Sequence, residues 1–407
     1  MSSAFDKITT SQAIVVFVNY ILAAGILSLP RTAVQEMGTP DVWLAVIFGG
    51  MITMAAGVVM TKLSQGYPGK TFFEYGGDIV GKWMGILIGL FFIEHFITIA
   101  AFEARIMAEI TSFFLLEGTP LWAITITMMW VGLYSVKAGM GAIARLFEII
   151  FPITVIIFLT VVLMSSGIFE LDNLRPVLGK GVMPVLQGTK ATVLSLTSAE
   201  VMLFLLAFMK KPQKGVKVVV VGISISLIFY LVTVIFVIGA LSVDGVVTRT
   251  WPTLDLMRSF EIPGLVFERF ESLLLTIWIM QLFATFAISY YAASLGLSQL
   301  FHKNIHTVMY ALLPVMYVIA MTPKNLNGIF QFGDFISRLA VILFVLVPIP
   351  LLMISKIRKK ELNPLPHLNG RHRKAGENTL RLRLLAFRAY VHPILRHKEH
   401  QKQGDGR

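Results

Sequence analysis

The chain has 407 residues, of which 56% are hydrophobic and 14% charged, with a mean hydropathy of +0.76. A soluble domain carries about 25% charged residues, so this composition specifies a polytopic membrane protein and excludes an ordinary soluble enzyme domain. The absence of Cys excludes disulfides, thiolate metal sites and Cys nucleophiles. The formal net charge of +12 is uneven: residues 356–407 hold fourteen Lys and Arg against four Asp and Glu, so +10 of it belongs to a tail. The pI of 9.8 therefore describes that tail and gives no argument for nucleic acid as a partner.

A spanning helix needs about 20 apolar residues. On that basis ten spans are predicted, at 11–36, 41–62, 83–115, 120–136, 142–166, 186–209, 216–242, 264–300, 305–321 and 333–355. The first is too long for a signal-peptide core and lacks a small-residue cleavage site, so no cleavable signal is expected. It carries the most informative local feature. Apolar residues run from Ile14 to Leu22, followed by Ala23, Ala24 and Gly25, with Pro30 five residues later. Unpaired backbone groups in lipid are expensive, so a helix is interrupted at membrane depth only where the freed groups face protein, water or a ligand. Gly25 to Pro30 is read as such a break, of the kind that holds substrate in secondary transporters.

Short loops such as Gly66-Tyr67-Pro68-Gly69-Lys70 and Lys210-Lys211-Pro212 separate the spans. With the N-terminus inside, the inner loops hold the denser Lys and Arg, and an even number of spans returns the basic tail to the same side. Spans three and eight are unusually long and lie five positions apart. Span six lies five after the broken span one. The pattern suggests two five-helix repeats of inverted topology, 11–166 and 186–355, in a body of residues 1–355 followed by a tail of 356–407.

Ionisable groups at membrane depth are functional candidates. Glu200 stands in the middle of span six, beside Ser195, Thr197 and Ser198. Span three carries Glu94, His95, Glu103, Arg105 and Glu109. His95 and Ile99 fall eight and four residues before Glu103, on about one face, and Arg105 and Glu109 are spaced to pair. Span eight contributes Gln281, Thr285 and Ser289, also four apart on one face. There is no phosphate-binding loop, zinc-protease motif or nucleophile elbow, so no enzymatic activity and no cofactor or metal is expected.

Several of these stretches resemble a known family. Gly25-Ile-Leu-Ser-Leu-Pro30 is similar to the first-helix motif of the amino acid–polyamine–organocation superfamily. Ala101-Phe-Glu-Ala-Arg-Ile-Met-Ala-Glu109, Asn173-Leu-Arg-Pro-Val177, Glu200-Val-Met-Leu-Phe-Leu205, Trp251-Pro-Thr253, Phe267-Glu-Arg-Phe-Glu-Ser272 and Trp278-Ile-Met-Gln281 resemble, in order and spacing, the B subunit of spore-germination nutrient receptors. The resemblance covers about residues 8–358. It implies an all-α, leucine-transporter-like fold of ten transmembrane helices with helices one and six broken, and a nutrient pocket between helices one, three, six and eight. It also implies partner A and C subunits in the inner membrane of a dormant spore. Two features depart from the pattern. Helix six has no Gly or Pro from Thr189 to Met209, so only Thr197-Ser198-Ala199 signals its break. The tail beyond Glu361 is not covered. In it Leu380, Leu384, Phe387, Val391 and Leu395 form a helical stripe, and a basic amphipathic helix of this kind would lie on anionic membrane lipid.

Within that architecture the ligand site is expected at Ala23, Ala24, Gly25, Ile99, Thr197, Ser198, Ala199 and Thr285. Ile99, Thr197, Ala199 and Thr285 suggest a small, mostly apolar amino acid whose carboxylate meets the freed N–H groups near Gly25, with sugars and nucleosides left as open alternatives. Glu103, Glu200 and His95 are assigned to a conformational switch or a proton or water path. Two classes of function compete: a receptor subunit that signals to partners, and a secondary transporter that moves its ligand, with an ion conduit compatible with the first. A sodium site in this fold commonly uses adjacent hydroxyls on helix eight, where Ala284-Thr285-Phe286-Ala287 offers one. Some proton-coupled relatives place a Lys in helix five, where 142–167 has none. Both features lean toward the receptor.

Overall fold

Thr9 sets the start of the first helix. Its hydroxyl accepts from the Gln12 backbone N–H while the Gln12 side chain accepts from Thr9 N–H, a reciprocal cap that satisfies two otherwise unpaired donors. From there α1 runs Thr10–Ile21 and α2 resumes at Ala24–Met37, bent by 46°. The sequence places the break over Gly25–Pro30; the computed structural model places it at Leu22–Ala23. Pro30 lies inside α2. Its missing N–H frees the Ile26 carbonyl, and Thr253 Oγ1 donates to that oxygen at 3.2 Å, so the helix continues through the proline. Gly25 serves close approach instead. A Cβ there would stand 2.6 Å from Tyr230 Oη and 2.8 Å from the Ser195 carbonyl oxygen.

The structure describes residues 7–196, 198–259, 270–343 and 347–362. After α2 come α3 (Val42–Gln65), the short α4 (Phe72–Val80), α5 (Lys82–Phe114), α6 (Leu121–Lys137) and α7 (Met140–Ser165). Helix six appears as two halves, α8 (Met183–Leu196) and α9 (Met202–Phe208), joined through a 3₁₀ turn at Ala199–Val201. Then follow α10 (Gly215–Thr248), α11 (Pro252–Arg258), α12 (Phe270–Phe301), α13 (Ile305–Met321), α14 (Leu326–Val341) and α15 (Pro348–Leu362). The region expected as a tenth span thus holds two helices, α15 opening at Pro348, where a proline's missing N–H costs nothing. Among the described residues six helices are long and apolar enough to cross a membrane, or seven with α1 and α2 as one bent span. Shorter apolar helices include α6 and α13. Strand pairing among these residues is limited to an isolated bridge between Ile8 and Met209.

By its contacts the chain divides into Met1–Ser355 and Lys356–Arg407. In the first unit, α12 packs along α5 more extensively than any other pair, and α10 and α8 flank α3. Phe17, Phe92, Phe96, Phe147, Phe204 and Phe286 are fully buried in this unit. In lipid such packing, rather than transfer out of water, holds helices together. Of the second unit only 356–362 is described. The amphipathic stripe expected at 380–395 lies outside the described residues, as do 267–269 of the aromatic-charged cluster before α12.

Candidate functional site

The two helix breaks face one cavity of about 580 Å³, a volume typical of a small-molecule site. Its walls come from α1, α2, α5, α8, α12 and α14. Of the residues expected to bind a ligand, Ala23, Ala24, Gly25, Ile99, Ser198 and Thr285 line it. Ala199 is buried at the break but faces the other way, its Cβ 3.3 Å from where a Cβ on Gly57 of α3 would lie. Thr197 lies outside the described residues. His95 and Glu103 also line the cavity, and Glu200 sits behind its wall.

The break leaves α1 with unpaired carbonyls and α2 with unpaired N–H groups. Side chains satisfy both. Thr285 Oγ1 donates to the Tyr20 carbonyl at 3.0 Å. Tyr230 Oη lies 3.1 Å from the Ile21 carbonyl and 3.0 Å from that of Ser195, so one phenolic proton is shared between the ends of α1 and α8. On the other side of the break the Ala24 N–H hydrogen-bonds the Glu103 carboxyl. The interrupted helices are thus closed by three side chains from α12, α10 and α5.

A second polar cluster lies under the α1 side of the cavity. Tyr20 Oη donates to Glu200 Oε1 at 2.9 Å, and His95 Nε2 stands 3.6 Å from the same oxygen. Ser289 Oγ is 3.4 Å from Tyr20 Oη. Glu200 and Ser289 are 0% exposed, His95 1% and Tyr20 2%, so these hydrogen bonds are made in a dry interior. One turn further, Gln281 Nε2 donates to Asn19 Oδ1 at 3.0 Å and Thr154 Oγ1 at 2.6 Å. The stripe Gln281, Thr285, Ser289 shares one face, as its spacing predicted, and the structure turns that face to the last turn of α1.

The α2 side of the cavity is different. Arg31 stacks over Phe330 of α14 at 5.4 Å, and Phe330 in turn lies 5.7 Å from Trp251. Glu36 and Asp334 line this end and are exposed. The Arg105–Glu109 pair forms at 2.7 Å, with the guanidinium also 3.9 Å from Met321 Sδ of α13. It is a link between helices, away from the cavity. Glu94 is exposed on α5.

Sequence reasoning missed Tyr20, Tyr230 and Arg31. Asn19-Tyr20 stood in the apolar run before the break and could have been noticed there. Tyr230 carries no local signal, because a tyrosine in an apolar helix reads as core until its hydroxyl is seen to meet two broken ends.

The sequence profile of the family described as "Spore germination protein" matches residues 7–329. Spore germination protein YndE of Bacillus subtilis is 59% identical over 360 residues, covering 88% of this chain and 99% of that protein. Spore germination protein A2 of the same organism is 37% identical over 354 residues, covering 87% and 97%. Among solved structures, MhsT in complex with L-phenylalanine superposes with a TM-score of 0.61 at 12% identity, covering 85% of this chain and 97% of that one. Mhp1, a nucleobase-cation-symport-1 family transporter with bromovinylhydantoin bound, gives 0.63 at 11%, covering 83% and 77%. The fold is therefore the leucine-transporter-like one, all-α with helices one and six broken. A profile match across most of the membrane body, with relatives that align almost end to end, makes this chain a member of the spore germination protein family.

Proposed function

We propose that the protein is the nutrient-sensing membrane subunit of a spore germination receptor. It would bind a small, mostly apolar amino acid in the cavity between helices one, three, six and eight and signal the occupied state to A and C subunits in the spore inner membrane. The observation that carries this reading is the 580 Å³ cavity at the two helix breaks, on the fold of a protein solved with L-phenylalanine. Ala23, Ala24, Gly25, Ile99, Ser198 and Thr285 form its wall, and the size and apolar character of Ile99 suit a short aliphatic side chain. The body of residues 1–355 binds and switches. On this reading both termini are on the core side of the membrane. The cluster of Tyr20, His95 and Glu200 is the switch, since it joins helices one, three and six and can exchange partners between two states.

The second reading, a secondary amino acid transporter, is less well supported by the break itself. The Tyr20 and Ile21 carbonyls, which would be available to a coupling cation, already accept from Thr285 and Tyr230. Purified chain should bind L-alanine, L-valine or L-leucine in calorimetry and, in proteoliposomes, accumulate none of them. Concentrative uptake by the chain alone would establish the transporter. Binding of none of the three would remove the amino acid reading.

A further inference from the structure

Two polar atoms in the cavity wall lack a hydrogen-bond partner among the described residues, and they are opposite in kind. Glu103 is 5% exposed, and its Oε2 is buried and accepts from no group, although the carboxyl holds the Ala24 N–H. Arg31 Nε is buried and, among the described residues, donates to no group, and no ion pair there engages its guanidinium; its neighbour is the face of Phe330. Both residues line the same cavity. Buried polar groups are normally paired, so an acceptor and a donor left over in one cavity specify a ligand that carries the complementary donor and acceptor.

The spacing fits one small molecule. Arg31 stands seven residues beyond Ala24, about 10 Å along α2. Helical side chains lean toward the N-terminus, which carries the guanidinium back toward Ser28 and shortens the gap to Glu103. An α-amino acid with a hydrogen bond of about 2.9 Å at each end bridges a distance of that size. The alternative polarity, with the ligand carboxylate on the break, meets an N–H that Glu103 already holds and sets two carboxyl groups against each other. We propose that the cavity holds its amino acid with the ammonium on Glu103 and the carboxylate on the Arg31 fork, the reverse of the orientation expected from the freed N–H groups alone. This assignment rests on the amino acid reading above. It also moves Glu103 from the switch to the ligand, and leaves the switch to Tyr20, His95 and Glu200.

The test is calorimetry on purified full-length protein with the tightest binder among L-alanine, L-valine and L-leucine, and with its amide, in which a neutral carboxamide replaces the carboxylate. Wild type should prefer the acid by about tenfold or more. Arg31→Gln should bring acid and amide within about threefold of each other. Arg31→Lys, which keeps a charge without the planar fork, should lose at least about threefold of the preference. Glu103→Gln should weaken acid and amide equally, because both carry the ammonium. An unchanged acid-to-amide ratio in Arg31→Gln or Arg31→Lys overturns the orientation while leaving the amino acid reading intact. If wild type binds none of the three amino acids, that reading fails and the orientation falls with it.

Discussion

The two ends of the cavity are built on different terms. On the α1 side Tyr20, Glu200 and Ser289 meet in a dry cluster with His95 beside it, and Thr285 and Tyr230 close the frayed end of α1. On the α2 side the cavity wall carries an uncommitted guanidinium, two aromatic rings and the exposed carboxyl groups of Glu36 and Asp334. One end is shut by hydrogen bonds between helices, although Glu200 Oε2 and Gln281 Oε1 stay unpartnered among the described residues, while the other end is open. A symmetric channel would show the same chemistry at both ends. On the proposed reading, ligand would enter from the α2 side and hydrogen bonds would be exchanged on the α1 side.

The largest break in this comparison should come from Gly25→Leu. Its side chain would occupy the space of Tyr230 Oη and the Ser195 carbonyl, 2.6 and 2.8 Å from the Cβ position. It should abolish the nutrient response of spores, read as dipicolinic acid release, with membrane levels checked by immunoblot. Ile99→Phe, which adds bulk to the cavity wall, should raise the half-maximal nutrient concentration by at least tenfold. An unchanged dose response would place the ligand elsewhere.

Loosening the shut end tests the other half of the contrast. Glu200→Gln keeps the shape but weakens the bond from Tyr20 and the pairing with His95. A buried hydrogen bond is worth about 0.5–1.5 kcal/mol net, so the resting state should lose about two- to tenfold in population. Spontaneous germination should rise while calorimetric affinity for the amino acid stays within about threefold. Loss of binding in a folded protein would sink the switch assignment. Tyr230→Phe should leave two carbonyls without their donor and lower the thermal midpoint of the purified protein by a few degrees, about 1–2 kcal/mol. The smallest effect is expected from Thr253→Val, which uncovers one carbonyl beside Pro30. A loss of about 1 kcal/mol in stability and an unaltered dose response would fit its purely structural role.

The sequence made the membrane class, the long third and eighth spans and the polar stripe of helix eight legible, because hydropathy and helical spacing are local properties. It also marked helix one as broken, through Gly25 and Pro30. It misjudged where, since the carbonyl freed by Pro30 is covered by Thr253, more than two hundred residues away. The break in helix six was signalled only by a Thr-Ser-Ala step, and Ala199 in that step turned out to face α3. The cation of the cavity, Arg31, was hidden for a different reason. Next to Pro30 and near the end of a span, it carries no local signal, and only the packing of α14 against it shows that it lines the cavity.

The short pairing at the N-terminus has a mechanical consequence. Ile8 exchanges two backbone hydrogen bonds of 2.8 Å with Phe208 and Lys210, and Lys7 Nζ grips the Ala207 carbonyl at 2.8 Å. The foot of α1 is thereby strapped to the foot of α9. Each helix has its pivot at the other end, at Leu22–Ala23 and near Ser198. Two struts tied at the base and hinged at the top would turn together, so the proposed switch would open the shut end by a single rotation of a coupled pair and not by two independent bends.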